Sequence, residues 1–351
     1  MQSGTKVAMG LDVGDRYTHV AIVDESGELI EESRVRTTRE AIGRRFESET
    51  PARIALEVGT HSPWMSRLLE RAGHEVLVAN ARKLRFIYES DNKSDRTDAE
   101  ALARVARLDP QLLSPIRHRT ETTQQHLAVV RARDVVVSVR TALINHARGA
   151  VKTVGSRLPR CSAHSFVDKV TEHIPLQLQA ALGPVLETIR ELGDRIRAYD
   201  REIERLCSED YPETDRLRQV AGVGSLTALA YVLVLEDPER FARSRAVGPY
   251  LGLRPKRAES GDTRPQLRIS KGGDELLRKL LVQAAHYVIG PFGPDTDLRR
   301  WGLRLAARGG KNAKKRAVIA VARKLAVLLH RLWISGAAYE PLRHEHAEAS
   351  A

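Results

Sequence analysis

Asp12 stands inside an apolar run, Met9-Gly10-Leu11-Asp12-Val13-Gly14, and a second run, Thr18-His19-Val20-Ala21-Ile22-Val23, follows after a short gap. The pattern predicts two strands joined by a tight glycine turn. A carboxylate in the middle of such a strand is costly to bury unless a cation or a hydrogen-bond network compensates it. The chain therefore needs a partner for Asp12, and the search for that partner organises the rest of the sequence.

Residues 7–12, 18–24 and 29–37 read as three successive strands, with Glu25-Ser26-Gly27 as the second turn. A helix over 38–48 follows, with Thr38 as its cap. Residues 53–58 then read as a buried strand carrying Glu57. Residues 62–72 read as a helix opened by Ser62-Pro63, and 74–79 as a fifth strand. Three meander strands and then helix, strand, helix, strand is the order of an RNase H-like α/β fold. In that sheet the first and fourth strands are neighbours, and their ends face the helix after the fifth strand. That helix opens with Lys93-Ser94-Asp95-Arg96-Thr97-Asp98. Asp95 and Asp98 are three residues apart, so they share one helical face. Asp12, Glu57, Asp95 and Asp98 are expected to converge there. Four carboxylates in one pocket repel unless divalent metal neutralises them. The expected cofactor is Mg2+, as a two-metal site that Mn2+ could also fill, bracketing the attacking and leaving oxygens of a phosphodiester.

The 351 residues carry a net charge of +12, and its placement is uneven. Between 251 and 331 there are 19 Lys and Arg against 6 Asp and Glu, so the rest of the chain is close to neutral. A basic field confined to one region predicts a polyanion held there, namely nucleic acid. Hydrophobic content of 42% and charged content of 29% are those of an ordinary soluble globular protein. Two cysteines, Cys161 and Cys207, make neither a disulfide framework nor a zinc site, which fits a reducing cytoplasm. The least polar run, 220–235, is interrupted by glycine and falls short of a membrane span, so no membrane association is expected.

The middle of the chain reads as helix. Leu127, Val130, Val137, Thr141, Ile144 and Val151 fall at heptad spacing, with Asp134 and Arg148 interrupting. Residues 155–173 read as a linker. Leu182, Val185, Ile189, Leu192, Ile196, Tyr199, Ile203 and Leu206 then alternate steps of three and four, as in a coiled-coil seam. The spacing leaves open whether this seam pairs within the chain or between protomers.

Val220-Ala221-Gly222-Val223-Gly224 resembles the turn of a helix–hairpin–helix, whose backbone N–H groups at Gly222 and Gly224 can hold a DNA phosphate. Farther on, Ser260 precedes a glycine, among Arg254, Lys256, Arg257, Arg264, Arg268 and Lys271. A serine hydroxyl attacks a phosphodiester only if its proton is removed and the developing charge is stabilised, and arginines supply the second requirement. A basic helical stretch over 301–331 carries Lys314, Lys315 and Arg316 as phosphate contacts, with its buried face marked by Val318, Val321, Leu325, Leu328, Leu329 and Leu332.

Together, Gly10-Leu11-Asp12-Val13-Gly14, Glu57 before Gly59-Thr60, and Lys93 to Ala99 resemble the DEDD, RuvC-like half of the insertion-sequence one-hundred-and-ten transposases. Residues 220–224, Gly252-Leu253-Arg254-Pro255, Glu259-Ser260-Gly261 and Ile269-Ser270-Lys271-Gly272-Gly273 resemble that family's C-terminal transposase domain. The resemblance implies a RuvC-like domain at 1–118 and helical coiled-coil segments at 119–210. A mainly α transposase domain would then span 211–342, with a disordered tail at 343–351. It implies that Asp12, Glu57, Asp95 and Asp98 bind magnesium and that Ser260 becomes covalently joined to DNA. It also implies donor and target DNA and a non-coding bridge RNA as partners, in a homodimer that can assemble to a tetramer. Three other readings compete. A RuvC-like Holliday-junction endonuclease would use the carboxylates and water, with no covalent serine intermediate. An actin–hexokinase-type phosphotransferase would need a second phosphate loop, which the sequence lacks. A binding protein without catalysis would leave the carboxylates unexplained.

Overall fold

The computed structural model describes residues 7–80, 95–258, 263, 265 and 267–343. Ser260, Arg264, Lys93, Ser94 and positions 344–351 lie outside the described residues. The chain divides into two compact units, Met1–Arg119 and Thr120–Ala351.

The first unit is mixed α/β, consistent with a DEDD nuclease-like fold. Its strands are β1 (Ala8–Val13), β2 (Tyr17–Val23), β3 (Leu29–Arg36), β4 (Arg53–Glu57) and β5 (Glu75–Ala79). They form one sheet in the order β3-β2-β1-β4-β5. β1 pairs antiparallel with β2 and parallel with β4, and β5 extends the parallel side. The edge strand β3 exposes Glu31, Glu32 and Arg34, charges that discourage pairing with another chain.

Strand alternation sorts the side chains between two faces. On one face Met9, Leu11, Ile54 and Leu56 pack against Ile42 and Phe46 of α1 (Arg39–Phe46) and Met65 and Leu69 of α2 (Ser62–Arg71). Thr38 caps α1, its hydroxyl accepting from the Ala41 N–H. On the other face lies α3 (Asp95–Leu108), and there the contacts are small: Ala8, Gly10 and Ala55 of the sheet against Ala99, Ala103 and Ala106 of the helix. Such residues let helix and sheet backbones approach closely.

The second unit is helical. α4 (Glu121–Thr153) and α6 (Leu176–Glu209) run antiparallel, since Leu127 and Val130 share a core with Ile203 and Leu206 while Ile144 and Val151 share one with Leu182 and Ile189. The pairing left open by the sequence is thus made within the chain. The buried stripe of α6 is Leu182, Leu186, Ile189, Gly193, Ile196, Ile203, Leu206 and Cys207, which keeps Leu182, Ile189, Ile196, Ile203 and Leu206 of the expected seam and corrects the rest. Val185, Leu192 and Tyr199 are only half-buried and Thr141 is exposed. The stripe contains Gly193, the small residue facing Arg140, and beside it the half-buried Asp200 pairs with Arg133 at 2.6 Å.

Residues 155–173 are more than a linker. They contain α5 (Phe166–Val170), and Leu158, Phe166, Val167 and Val170 complete the core at the far end of the pair. The near end merges with the main core. There α7 (Thr214–Arg218) leads through the Gly222 turn into α8 (Ser225–Leu235), which is buried from Thr227 to Leu235. A four-residue helix, α9 (Val247–Tyr250), follows. α10 (Glu275–Ile289) and α12 (Ala313–Ser335) pack around α8, and the Tyr231 hydroxyl donates to the Ala326 carbonyl at 2.6 Å. The basic stretch expected around one helix comprises two, α11 (Asp297–Ala306) and α12, separated by a turn containing Gly309 and Gly310. No helix among the described residues is long and apolar enough to cross a membrane.

Candidate active site and nucleic-acid groove

The alternation that buries Leu11 on the α1/α2 face turns Asp12 to the α3 face. Glu57, two residues after Ala55, lies on that same face of the parallel neighbour β4. Asp95 and Asp98 occupy the first turn of α3, directly above. Three elements therefore bring four acids to one end of the sheet. The electrostatics record the result. Burial first, then the charges of Asp95, Asp98 and Glu57, push the Asp12 carboxyl up to about 6.

One residue of this site was not singled out from sequence. His19 sits opposite Asp12 across the β1–β2 ladder, and its Nε2 is 3.7 Å from Asp95 Oδ2. When protonated, His19 counters part of the repulsion on Asp12. The signal was present in the strand register, because a two-strand hairpin with a short turn places position 19 beside position 12. The loop after Glu57 is fixed by Ser62, whose Oγ donates to the Gly59 carbonyl at 2.8 Å and accepts from the Gly59 N–H at 3.0 Å.

An all-carboxylate donor set suits a hard divalent cation such as Mg2+ or Mn2+. Among the described residues, no three His, Cys, Asp or Glu side chains stand close enough to share one ion. The acids form an open cluster whose mutual repulsion favours a cation but whose side chains do not yet close around one.

In the second unit, two glycine-containing segments meet. Pro255 and Ile269 form an antiparallel bridge, flanked by Lys256 N–H to Arg268 O and Ser270 N–H to Arg254 O, both 2.9 Å. Gly252 adopts φ +69° against the backbone of Gly272, and Gly273 adopts φ +71° against the Tyr250 carbonyl. A side chain at either position would collide with backbone. Below this corner lies Arg278, which is only 9% exposed. Its Nη1 donates to the carbonyls of Leu251 (3.2 Å), Gly272 (2.8 Å) and Asp274 (3.4 Å). The result is a short two-stranded stalk, and Ser260 falls in the sequence between its two arms.

The basic residues divide by location. Arg268, Lys271, Lys315 and Arg316 line one groove of about 1590 Å³. Arg254, Lys256, Arg257 and Lys314 are exposed. Arg243, Arg245, Arg323, Lys324 and Arg331 also line the groove and were not named as phosphate contacts from sequence, although the last three fall within the basic stretch over 301–331. Gly222, at φ +84°, packs against Ala284 and Tyr287, and the exposed Gly224 precedes the first residue of α8.

Residues 9–155 match the family DEDD_Tnp_IS110, described as a transposase, and residues 214–297 match the transposase IS116/IS110/IS902 family. The transposase of insertion sequence element IS1111A from Coxiella burnetii is 31% identical over 70% of this chain and 68% of its own length. A probable family 20 transposase of Pseudomonas aeruginosa is 28% identical over 95% of this chain and 98% of its own. The transposase of element IS1328 from Yersinia enterocolitica is 28% identical over 79% and 82%. A DEDD-type domain implies dependence on a divalent metal ion in general terms. The chain belongs to the IS110 family of insertion-sequence transposases, enzymes that act on DNA.

Proposed function

We propose that this transposase cleaves and exchanges DNA strands through a covalent phosphoserine intermediate. Asp12, Glu57, Asp95 and Asp98 would hold Mg2+, and Ser260 would be the nucleophile. The observation that carries the reading is the convergence of Glu57, Asp95 and Asp98 on Asp12, whose carboxyl is pushed up to about 6 by burial first and then by those three charges. Bound Mg2+ would supply neutralisation of that charge and Lewis-acid polarisation of a phosphate oxygen. The work of the chain's own residues is to position and to exclude. Asp12 and Glu57 project from rigid strand ends, and Asp95 and Asp98 from the first turn of a helix seated on those strands. The stalk clasped by Arg278 would fix the segment bearing Ser260.

In the chemical step, a bond forms between Ser260 Oγ and phosphorus as the bond from phosphorus to the leaving deoxyribose oxygen breaks. The serine proton leaves to a base and the leaving oxygen gains a proton. One phosphodiester replaces another, so attack by a hydroxyl of a second strand can release the serine and rejoin the DNA without an outside energy source. The family resemblance adds donor and target DNA, a bridge RNA that pairs with both, and a homodimer that assembles to a tetramer. It also implies a RuvC-like, RNase H-like domain, a coiled-coil segment and a helix–hairpin–helix at Gly222 and Gly224. The cations Arg254, Lys256, Arg257, Arg264, Arg268, Lys271, Lys314, Lys315 and Arg316 would contact phosphate.

Labelled DNA incubated with the protein and Mg2+ and run on a denaturing gel tests the reading. The expected result is a protein–DNA adduct that Ser260→Ala abolishes while nucleic-acid binding persists. Free cleaved ends with no adduct would favour a water-using RuvC-like endonuclease. Copurified RNA from the native host, once sequenced, tests the guide.

A further inference from the structure

The groove of the second unit combines two chemistries. At its rim are exposed cations, among them Arg243, Arg245, Arg268, Lys271, Arg316 and Arg323. Its floor is half-buried or buried and apolar, made by Leu253, Ile269, Trp301, Leu305, Ile319 and Val327. Among the described residues, no carboxylate lines it. Its volume of about 1590 Å³ exceeds the roughly 300–1,000 Å³ of a small-molecule site.

The rim calls for a polyanion, and the floor decides which kind. Duplex DNA turns phosphates outward and hides its base faces, so an apolar floor would gain nothing from it. Unpaired nucleotides expose base faces, and those stack on aromatic and apolar side chains while the backbone follows the cations. The floor also bears on the sugar. Apart from the cations, its polar side chains among the described residues are Asn312, which is exposed, and Ser244, which is already engaged, its Oγ 3.0 Å from His330 Nδ1. A ribose 2′-hydroxyl seated there would find few partners, whereas deoxyribose has none to satisfy. Pro255, Leu267, Arg268 and Ile269, from both arms of the stalk that brackets Ser260, form part of the wall.

We propose that this groove seats an unpaired DNA strand, phosphates on the cationic rim and bases on the apolar floor. It would hold the strand released during exchange beside the segment bearing the nucleophile. The inference rests on the recombinase reading above and adds to it the state of the DNA and the residues that receive it.

Fluorescence anisotropy with the full chain tests it, using one labelled sequence as single-stranded DNA, duplex DNA and single-stranded RNA at fixed ionic strength. The single DNA strand is expected to bind about tenfold more tightly than the duplex, and more tightly than the RNA. Ile319→Asn is expected to remove that preference while leaving duplex affinity unchanged. Arg323→Gln together with Lys324→Gln should weaken all three probes and reduce the salt dependence. If Ile319→Asn does not fold, a thiothymidine-substituted single strand crosslinked to the unaltered protein should mark peptides containing Trp301 or Ile319. Equal binding of single strand and duplex, tighter binding of RNA, or crosslinks elsewhere would overturn the groove assignment. A single-strand preference in a protein that forms no Ser260 adduct would support the groove and sink the recombinase reading. An adduct without the preference would sink the groove alone.

Discussion

The backbone of β1 at Gly10 lies directly beneath the Ala99 carbonyl of α3, with no room between them for a methyl group. A Cβ on Gly10 would also stand 2.5 Å from the Ala103 nitrogen. This contact sets the height of α3 above the sheet, and with it the distance from Asp95 and Asp98 to Asp12. Gly10→Ala should therefore act twice. Overpacking of this kind costs about 1–3 kcal/mol, to be read from the urea midpoint, and DNA cleavage should fall further than the loss of folded protein explains. An unchanged midpoint would show that α3 lifts freely and would break the link.

Asp12 gives a pH prediction for the metal-free protein. Its folded carboxyl is raised from 3.8 to about 6 by burial and by the neighbouring acids. It therefore takes a proton more readily folded than unfolded. Its contribution to stability is fully present below about pH 3.8 and is lost as pH rises through about 6. Asp12→Asn should flatten that decline in EDTA. At pH 7.5 it should raise the melting temperature by roughly 2–4 °C, the shift that about 1 kcal/mol produces in a chain of this order of size. Added Mg2+ should stabilise the unaltered protein more than Asp12→Asn, while strand cleavage by the variant disappears. A variant that melts lower than the parent in EDTA would contradict the repulsion.

Arg278 holds three carbonyls of the glycine corner from within the core. Arg278→Met keeps much of the volume and removes the donors, leaving buried acceptors unpaired at a cost of about 1–3 kcal/mol. The Ser260 adduct should fall sharply, while Mg2+-induced stabilisation, which belongs to the first unit, stays as in the parent. Full adduct yield from the variant would show that the corner holds without its clasp.

Tyr231 is wholly buried and gives its hydroxyl proton to the Ala326 carbonyl. Tyr231→Phe should cost about 1 kcal/mol, seen in the denaturation midpoint, with nucleic-acid affinity unchanged. A change in affinity would show that this contact reaches the basic surface.

The sheet could be read from the sequence because its signals are local. The apolar run Ala8 to Val13, the cap at Thr38 and the Ser62-Pro63 opening of α2 each lie within a few residues of what they decide. Asp12 announced the site because an acid in an apolar strand has few innocent explanations. What stayed hidden depends on neighbours far along the chain. Gly10 reads from sequence as an ordinary member of the first strand, and only Ala99 reveals why no side chain is admitted. The α6 stripe shifted off Val185 and Leu192 because tertiary packing against α4 took Leu186 and Gly193 instead, and heptad spacing alone cannot separate two adjacent phases. The groove escaped because Arg243 and Lys324 are brought together only by the packing of the segment before α9 onto α12.

The α4–α6 pair carries apolar cores at both ends and an Arg133–Asp200 ion pair between them. Each residue inserted into one helix turns everything beyond it by about 100°. A single insertion near the waist would leave one core facing its partner and aim the other at water. The length of this pair is thus quantised, open to change only by matched steps of near-whole turns in both helices, such as about seven or eleven residues, and the distance from the main core to the far tip cannot drift by small increments.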